Sequence, residues 1–258
     1  MRITIVTGPF YPVPPAPCGA VERLMRDLAD TFAARGHEVI VLCRDWPGQN
    51  RNETINGVTY HRRLRPRRTG NIKIDLLKDL FYSMRMLFAV RKSDVIVTNV
   101  FWLPMLLTRL RRGAGKVEVN VNRQPKGQMG LYRRAARIVA VSTAIKDAIV
   151  AQRPDVATIV KVIPNPIDTR VFTPPPAPRP PRVTTLIYTG RVHPEKGIHV
   201  LLSAFRQLLV EFPHLRLRII GQRNVAQGGG DEAYQKQLDE QSAGLPVEFV
   251  PPIYDRKQ

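Results

Sequence analysis

The sequence predicts an α/β chain made of two successive units of alternating strands and helices, the first complete and the second only partial. Three observations carry that expectation. Short β-branched, apolar runs alternate with segments whose apolar residues recur every three or four positions, as expected for parallel strands buried on both faces and the helices covering them. Between positions 174 and 181 the alternation is broken by six prolines in eight positions. Proline's fixed φ and missing N–H exclude a central strand or a helix interior there and leave an extended spacer. Beyond the spacer, about 76 residues hold three strands and two helices, whereas a doubly wound sheet usually has five or six strands. The expected divisions are a first domain over 1–173, a linker over 174–182 and a partial second domain over 183–258.

In chain order, Arg2–Thr7 reads as a buried strand followed by a loop rich in proline and glycine, 8–19. Val21, Leu24, Met25, Leu28 and Phe32 share one helical face, and Gly36 ends that helix. Glu38–Cys43 is the next strand, completing a βαβ unit with a right-handed crossover. Val58–Arg62 is a short strand. Ile72 to Arg91 is a long helix whose apolar side carries Ile72, Leu76, Leu77, Leu80, Phe81, Met84, Leu87 and Phe88. Strands are expected at Asp94–Thr98, Val117–Val121, Ile138–Val141 and Ile159–Ile163. The helices between them are Leu103–Arg112, Met129–Arg137, and one capped by Ser142 or Thr143 and running to Gln152. The second unit reads strand Thr185–Thr189, helix Ile198–Phe212, strand Leu215–Gly221, helix Glu232–Gln241 and strand Val247–Val250. Between the last two strands, Gly228–Gly230 reads as a flexible loop rather than a dinucleotide fingerprint.

Charge is the compositional surprise. Lys+Arg 40 against Asp+Glu 21 gives +19, and residues 60–134 hold 18 basic and 4 acidic side chains. Such a field attracts nucleic acid, an anionic membrane surface or a polyanionic substrate. Nucleic acid is not expected as a partner, because no recognition motif is present and the arginines are not interleaved with aromatics. No uncharged apolar run approaches the ~20 residues of a spanning helix. Cys18 and Cys43 are too few for a disulfide framework, and no Cys/His cluster has zinc spacing, which points to a cytoplasmic protein with reduced thiols.

Four stretches, in order, carry a resemblance. Gly19-Ala20-Val21-Glu22-Arg23 is followed by Leu28-Ala29 and by Arg35-Gly36-His37-Glu38-Val39. Val141–Lys146 is a strand-to-helix step. Val162–Asp168 contains Pro164-Asn165-Pro166-Ile167-Asp168, with Phe172 beyond it. Gly190-Arg191 with Glu195-Lys196-Gly197-Ile198, then Leu201, Leu202, Ala204 and Phe205, closes the set. Together they resemble the family 4 retaining glycosyltransferases. The resemblance implies two Rossmann-like domains of GT-B architecture and transfer of a hexose from a nucleotide-diphosphate sugar. The acceptor would be a glycan or a lipid-linked molecule, in cell-envelope or polysaccharide biosynthesis. No metal and no cofactor beyond the donor substrate are expected, and no Asp-x-Asp motif occurs.

The resemblance assigns Arg191 and Lys196, with Gly190, to the donor diphosphate. The residue types suit that role: a strand, a glycine turn with two cations and a helix N-terminus form a plausible phosphate grip. Gly19 lies before a helix, where a missing Cβ admits a ligand to free N–H groups; an ordinary helix-entry turn is the alternative. Ala20 stands where the family has a second glycine. Glu22 and Arg23 fall in the first helical turn, either solvated or touching ligand. On the acceptor side, Asn99 and Asn122 stand about where the family often has histidine, and asparagine bonds a hydroxyl without shuttling a proton. Asn165 and Asp168 read as hinge-shaping turn residues, and His193 and His199 as incidental. The family's Glu-x7-Glu segment has no counterpart before Gln258, so the catalytic residues stay unassigned and weak or absent transfer is expected of these 258 residues alone. Finally, Arg63, Arg65, Arg67 and Arg68 beside the long helix read as a patch for the inner face of the cytoplasmic membrane. The alternative is a buried helix face flanked by solvated charge.

Overall fold

The computed structural model describes residues 1–13, 19–69, 71–169, 172–174, 185–223 and 229–253. The chain divides into two units, Met1–Ile167 and Asp168–Gln258. Of the expected linker only Pro174 is among the described residues, and Cys18 lies outside them.

The first unit runs β1 (Arg2–Val6), α1 (Ala20–Ala34), β2 (Glu38–Arg44), β3 (Asn52–Ile55), β4 (Val58–Arg63), α2 (Ile72–Ala89), β5 (Val95–Thr98), α3 (Leu103–Leu110), β6 (Lys116–Val121), β7 (Arg137–Ala140), α4 (Thr143–Gln152) and β8 (Val160–Val162). Its eight strands lie in the order β3-β4-β2-β1-β5-β6-β7-β8, and every pairing except β3 with β4 is parallel. Strand β1 is central, Ile3 standing beside Val39 of β2 and Val95 of β5. On one face Met25 and Ala29 of α1 meet Ile3, Ile5, Val39 and Val41. On the other, α2, α3 and α4 bury Tyr82, Met86, Leu103, Leu107 and Ile149 against Val6, Leu42, Ile96 and Ile138. Apolar side chains buried on both faces explain why the strands read as continuous apolar runs.

The second unit runs β9 (Thr185–Thr189), α5 (Ile198–Glu211), β10 (Arg216–Ile220), α6 (Glu232–Ser242) and β11 (Val247–Val250), with a parallel sheet in the order β11-β10-β9. Its own core joins Val192, Ile198, Leu202 and Phe205 to Leu217, Ile219 and Leu238.

Several expectations are corrected. Strand β3 was not anticipated; it forms a hairpin with β4 across Asn56 (φ 52°) and Gly57 (φ 78°). Both central residues have positive φ, which is the two-residue Asn-Gly turn matched to strand twist. The helix expected over Met129–Arg137 is only a 3₁₀ turn, Gln128–Tyr132, entered through left-handed Gly127. It is pinned by buried Met129 and by the Tyr132 hydroxyl donating to Phe101 O at 2.9 Å. Ile159 belongs to a 3₁₀ turn before β8. Gly229 and Gly230 lie outside any helix or strand, as expected of a loop, and are buried; Gly228 lies outside the described residues.

The largest correction concerns α2. Its buried residues are Asp79, Tyr82, Ser83, Met86 and Leu87, while Ile74, Leu77, Phe81, Met84 and Phe88 face solvent at 46–78% exposure. The apolar stripe read from the sequence therefore lies mostly on the outside. Hydrogen bonds decide the orientation: Asp79 accepts from Trp102 N at 3.3 Å and from Ser83 Oγ at 3.1 Å. Trp102 Nε1 donates to Leu76 O at 3.0 Å, and Arg111 Nη1 donates to Leu87 O and Val90 O at 2.6 and 2.7 Å. An inward face carrying polar anchors outcompetes a purely apolar one because those N–H and C=O groups would otherwise be buried unpaired.

Candidate functional site

In a parallel sheet every strand delivers its following loop to the same edge, and a crevice opens where successive crossovers diverge. In the first unit that point is between β1, whose crossover leads to β2, and its other neighbour β5. Asn99 follows β5 directly and Asn122 follows the adjacent β6, so the two acceptor-side candidates share this edge. The Asn99 Oδ1, with Thr7 Oγ1 after β1 and Asn120 Oδ1 on β6, is buried without a hydrogen-bond partner among the described residues. Asn120 is a polar group on this edge that the sequence pattern did not single out.

The loop from β1 ends at Gly19, which precedes α1 with extended dihedrals (φ −74°, ψ 168°). A Cβ on Gly19 would lie 2.5 Å from Glu22 Oε2. The glycine thus leaves room for the Glu22 carboxylate to turn back over its own helix N-terminus, half of a capping box. Glu22 is 6% exposed, which removes the solvated alternative. Burial pushes its carboxyl above the usual range, opposed by the backbone N–H groups of Glu22 and Gly19 and by the nearby Arg123 charge. Ala20 is exposed at the first helical position.

The loop after β5 is held from below by Asp79. Burial pushes the Asp79 carboxyl up to about 6, against the stabilising bonds from Trp102 N, Ser83 and Phe101 N. No sequence motif marks this residue; an Asp beyond the first turn of an apolar helix is the one available signal.

The four arginines of the expected patch have different partners. Arg63 bonds Asn52 Oδ1 at 3.1 Å and stands with His61 and Arg91. Arg65 pairs with Asp45 at 2.9 Å, and Arg68 with Asp75 at 3.8 Å and the Tyr11 hydroxyl at 3.3 Å. Arg65 and Arg67 lie near Arg44, the last residue of β2, which is 7% exposed, donates to Phe10 O at 2.5 Å and stacks on Trp46. Burial, with the charges of Arg65 and Arg67 next, holds the Arg44 guanidinium below its ordinary value.

In the second unit Gly190 follows β9, donating its N–H to Ile220 O at 3.0 Å, and Val192 N donates to Gln222 O at 3.0 Å. A Cβ on Gly221 would lie 1.6 Å from Gly190 O, and one on Gly230 would lie 2.6 Å from Tyr234. Gly230 N donates to Val192 O at 2.7 Å. Three glycines thus let the β9, β10 and α6 loops pack backbone to backbone. Gly190 (φ 154°) and Gly197 (φ 67°) take conformations that side chains resist. Between them Pro194–Lys196 makes one 3₁₀ turn leading into α5. Arg191 is ion-paired with Glu195, and Lys196 is exposed on the same turn. His193 and His199 have local partners: His193 Nδ1 accepts from Glu195 N at 3.3 Å, and His199 Nδ1 lies 3.1 Å from the Tyr234 hydroxyl. Asn165 is exposed, and Asp168 O accepts from Phe172 N at 2.9 Å.

Comparison with known proteins gives a consistent result. Residues 173–256 match Glycosyl transferases group 1. A 55-residue stretch is 38% identical to the lipopolysaccharide 1,2-N-acetylglucosaminetransferase of Salmonella typhimurium, covering 21% of this chain and 14% of that protein. The putative glycosyltransferase YtcC of Bacillus subtilis is 20% identical, over 86% of this chain and 56% of its own length. The chain therefore spans about half of that relative. Among solved structures, Anabaena HepE in complex with UDP-glucose aligns at a TM-score of 0.69 with 18% identity, over 98% of this chain and 69% of HepE. That likeness shows the fold: two Rossmann-like units of the GT-B type. Residues 21–171, more than half of the chain, match Glycosyltransferase Family 4, and the chain belongs to that family.

Proposed function

We propose that this chain supplies the acceptor-side domain and the diphosphate-gripping part of the donor domain of a hexosyltransferase that uses a nucleotide-diphosphate sugar and retains anomeric configuration. The observation that carries the reading is the Gly190–Gly197 turn at the carboxyl end of β9. It puts two cations on one short turn, on a backbone held by glycine contacts and leading into α5. As the sugar becomes oxocarbenium-like, the leaving diphosphate gains negative charge. Cations fixed beforehand at that position stabilise the transition state more than the ground state. In this reading Arg191 and Lys196 do the work for which other transferases use a divalent metal. The HepE complex with UDP-glucose supports a nucleotide-sugar donor, and the Salmonella relative supports a glycan or lipid-linked acceptor in the cell envelope. Asn99 and Asn122 would bond acceptor hydroxyls at the sheet edge. The basic residues Arg65, Arg67 and Arg68, beside the outward apolar face of α2, would meet anionic lipid at the inner face of the cytoplasmic membrane.

Calorimetric titration with UDP, ADP and GDP tests the donor site. A hydrogen bond to a charged group is worth roughly 1.5–3 kcal/mol, so Arg191→Ala and Lys196→Ala should each weaken binding about 10- to 100-fold. Affinity unchanged in the double variant sinks the assignment. The outward face of α2 favours a second reading, a GT-B-like adaptor that binds membrane without transfer. Vesicle flotation with no nucleoside-diphosphate binding by the parent chain would select it.

A further inference from the structure

Between α2 and the turn that follows β4 lies a cavity of about 500 Å³, lined by Leu64, Pro66, Leu77, Leu80, Phe81 and Met84 with Arg65 and Lys78. Its volume is that of a small-molecule site. Its walls are almost wholly apolar, and its two cationic lining residues have a third beside them: Lys78 Nζ donates to Arg67 O at 2.6 Å. No ion pair of the Arg67 side chain occurs among the described residues. Arg44 adds a fourth, buried guanidinium whose Nε has no hydrogen-bond partner among the described residues.

The turn is built at a cost. Leu64 has φ 56°, a left-handed conformation that disfavours a branched side chain by roughly 1–2 kcal/mol. That conformation turns the chain at the end of β4, with Leu64 O accepting from Asp45 N at 2.9 Å and the Arg65 guanidinium on the Asp45 carboxylate. Pro66 beyond it completes the cavity wall. Asp45 and Asp75 offset part of the local charge, and Arg67 and Lys78 have no carboxylate of their own among the described residues.

We propose that this cavity takes the apolar chain of a phosphate-bearing lipid, with the phosphate held by Arg65, Arg67 and Lys78. The inference deepens the membrane-side part of the reading above and rests on it. Charge complementarity selects the occupant. A second copy of a chain with net charge +19 would bring a cationic rim against a cationic rim. A wholly apolar ligand would leave the cations unused, and a free phosphate would leave the cavity unfilled. A single-chain lipid phosphate satisfies both halves of the site.

Two probes and two variants separate the possibilities, with the full chain titrated calorimetrically. Lysophosphatidylglycerol below its micellar concentration should bind at least tenfold more tightly than glycerol 3-phosphate or dodecyl maltoside. Met84→Trp fills the cavity from a half-exposed position and leaves the core untouched; it should weaken lysophosphatidylglycerol at least tenfold. A tryptophan on a merely surface-inserting helix would instead preserve or strengthen flotation with phosphatidylglycerol vesicles. Phe88→Asp lies on the same outward face but outside the cavity. It should reduce vesicle flotation and leave lysophosphatidylglycerol binding intact. Equal binding of glycerol 3-phosphate, or an unchanged Met84→Trp variant with unchanged thermal melting, overturns the cavity assignment. Loss of flotation on removing Arg65, Arg67 and Arg68 together with an unaffected Met84→Trp would retain the membrane surface and discard the cavity.

Discussion

Asp79 offers a sharp test of how α2 is docked. Its carboxyl is raised from 3.8 to about 6, chiefly by burial. A group that holds its proton more tightly when folded contributes most to stability at low pH and loses that contribution as pH rises through the folded value. At 1.36 kcal/mol per pH unit the whole effect is about 3 kcal/mol, and linkage places about 1.4 kcal/mol of it between pH 5 and pH 7.5. Asp79→Asn removes the ionisation and keeps an oxygen for Trp102 N and Ser83 Oγ, both of which meet Oδ1. It gives up the acceptor for Phe101 N, worth about 1 kcal/mol. The variant should therefore be more stable than the parent by about 2 kcal/mol at pH 7.5 and by about 0.5 kcal/mol at pH 5. Urea unfolding at a series of pH values measures both curves, and other titrating groups, Glu22 included, cancel in the difference. For a unit of this size the 1.4 kcal/mol corresponds to about 3–6 °C in melting temperature. Parallel curves for parent and variant would show that Asp79 is not the buried, loop-holding carboxylate described above.

The remaining predictions concern packing. Gly221→Ala places a methyl 1.6 Å from Gly190 O, so the Gly190 loop must shift; the second unit should lose more than about 2 kcal/mol, and UDP affinity, where present, should fall with it. Asn71 accepts from Lys73 N at 3.0 Å at the start of α2. Asn71→Ala should cost about 1 kcal/mol by denaturant unfolding, with Asn71→Asp neutral or better. Glu195→Gln removes an exposed ion pair with Arg191; because such pairs contribute little, stability should change by less than about 0.5 kcal/mol. Nucleoside-diphosphate affinity should rise a few-fold if Glu195 competes for the guanidinium, and a tenfold fall would assign Glu195 to positioning instead.

Most of the alternation was legible because each strand of a parallel sheet is an uninterrupted apolar run bounded by polar turns. Strands β1, β2, β5 and β9 appear within a residue or so of their expected limits for that reason. The hairpin strand β3 was not, since Asn52–Ile55 alternates exposed and half-buried residues and its signal sits in the Asn56-Gly57 turn beside it. The orientation of α2 was illegible for a different reason. Both of its faces carry apolar residues, and the one that wins does so through Asp79, Trp102 and Arg111, partners 20 or more residues apart in sequence that only the fold brings together.

The glycines of the second unit show where sequence patterns stop and packing begins. Gly190 was legible because it belongs to a local strand–turn–helix pattern. The need for glycine at Gly221 and Gly230 shows in no local pattern; each is needed because of what presses on it, Gly190 O on the first, and Tyr234 with the more distant Pro194 on the second. Their contacts fix the height of the Gly190 loop relative to β10 and α6, and so fix where the Arg191 and Lys196 backbone stands. A cation can stabilise developing charge only if it need not move to do so, since reorganisation costs at the moment of reaction what preorganisation saves. The buried glycines beside the turn, more than the two cations themselves, are therefore what separates a phosphate grip from an ordinary basic turn. Substituting Gly221 or Gly230 tests that distinction without touching a charge.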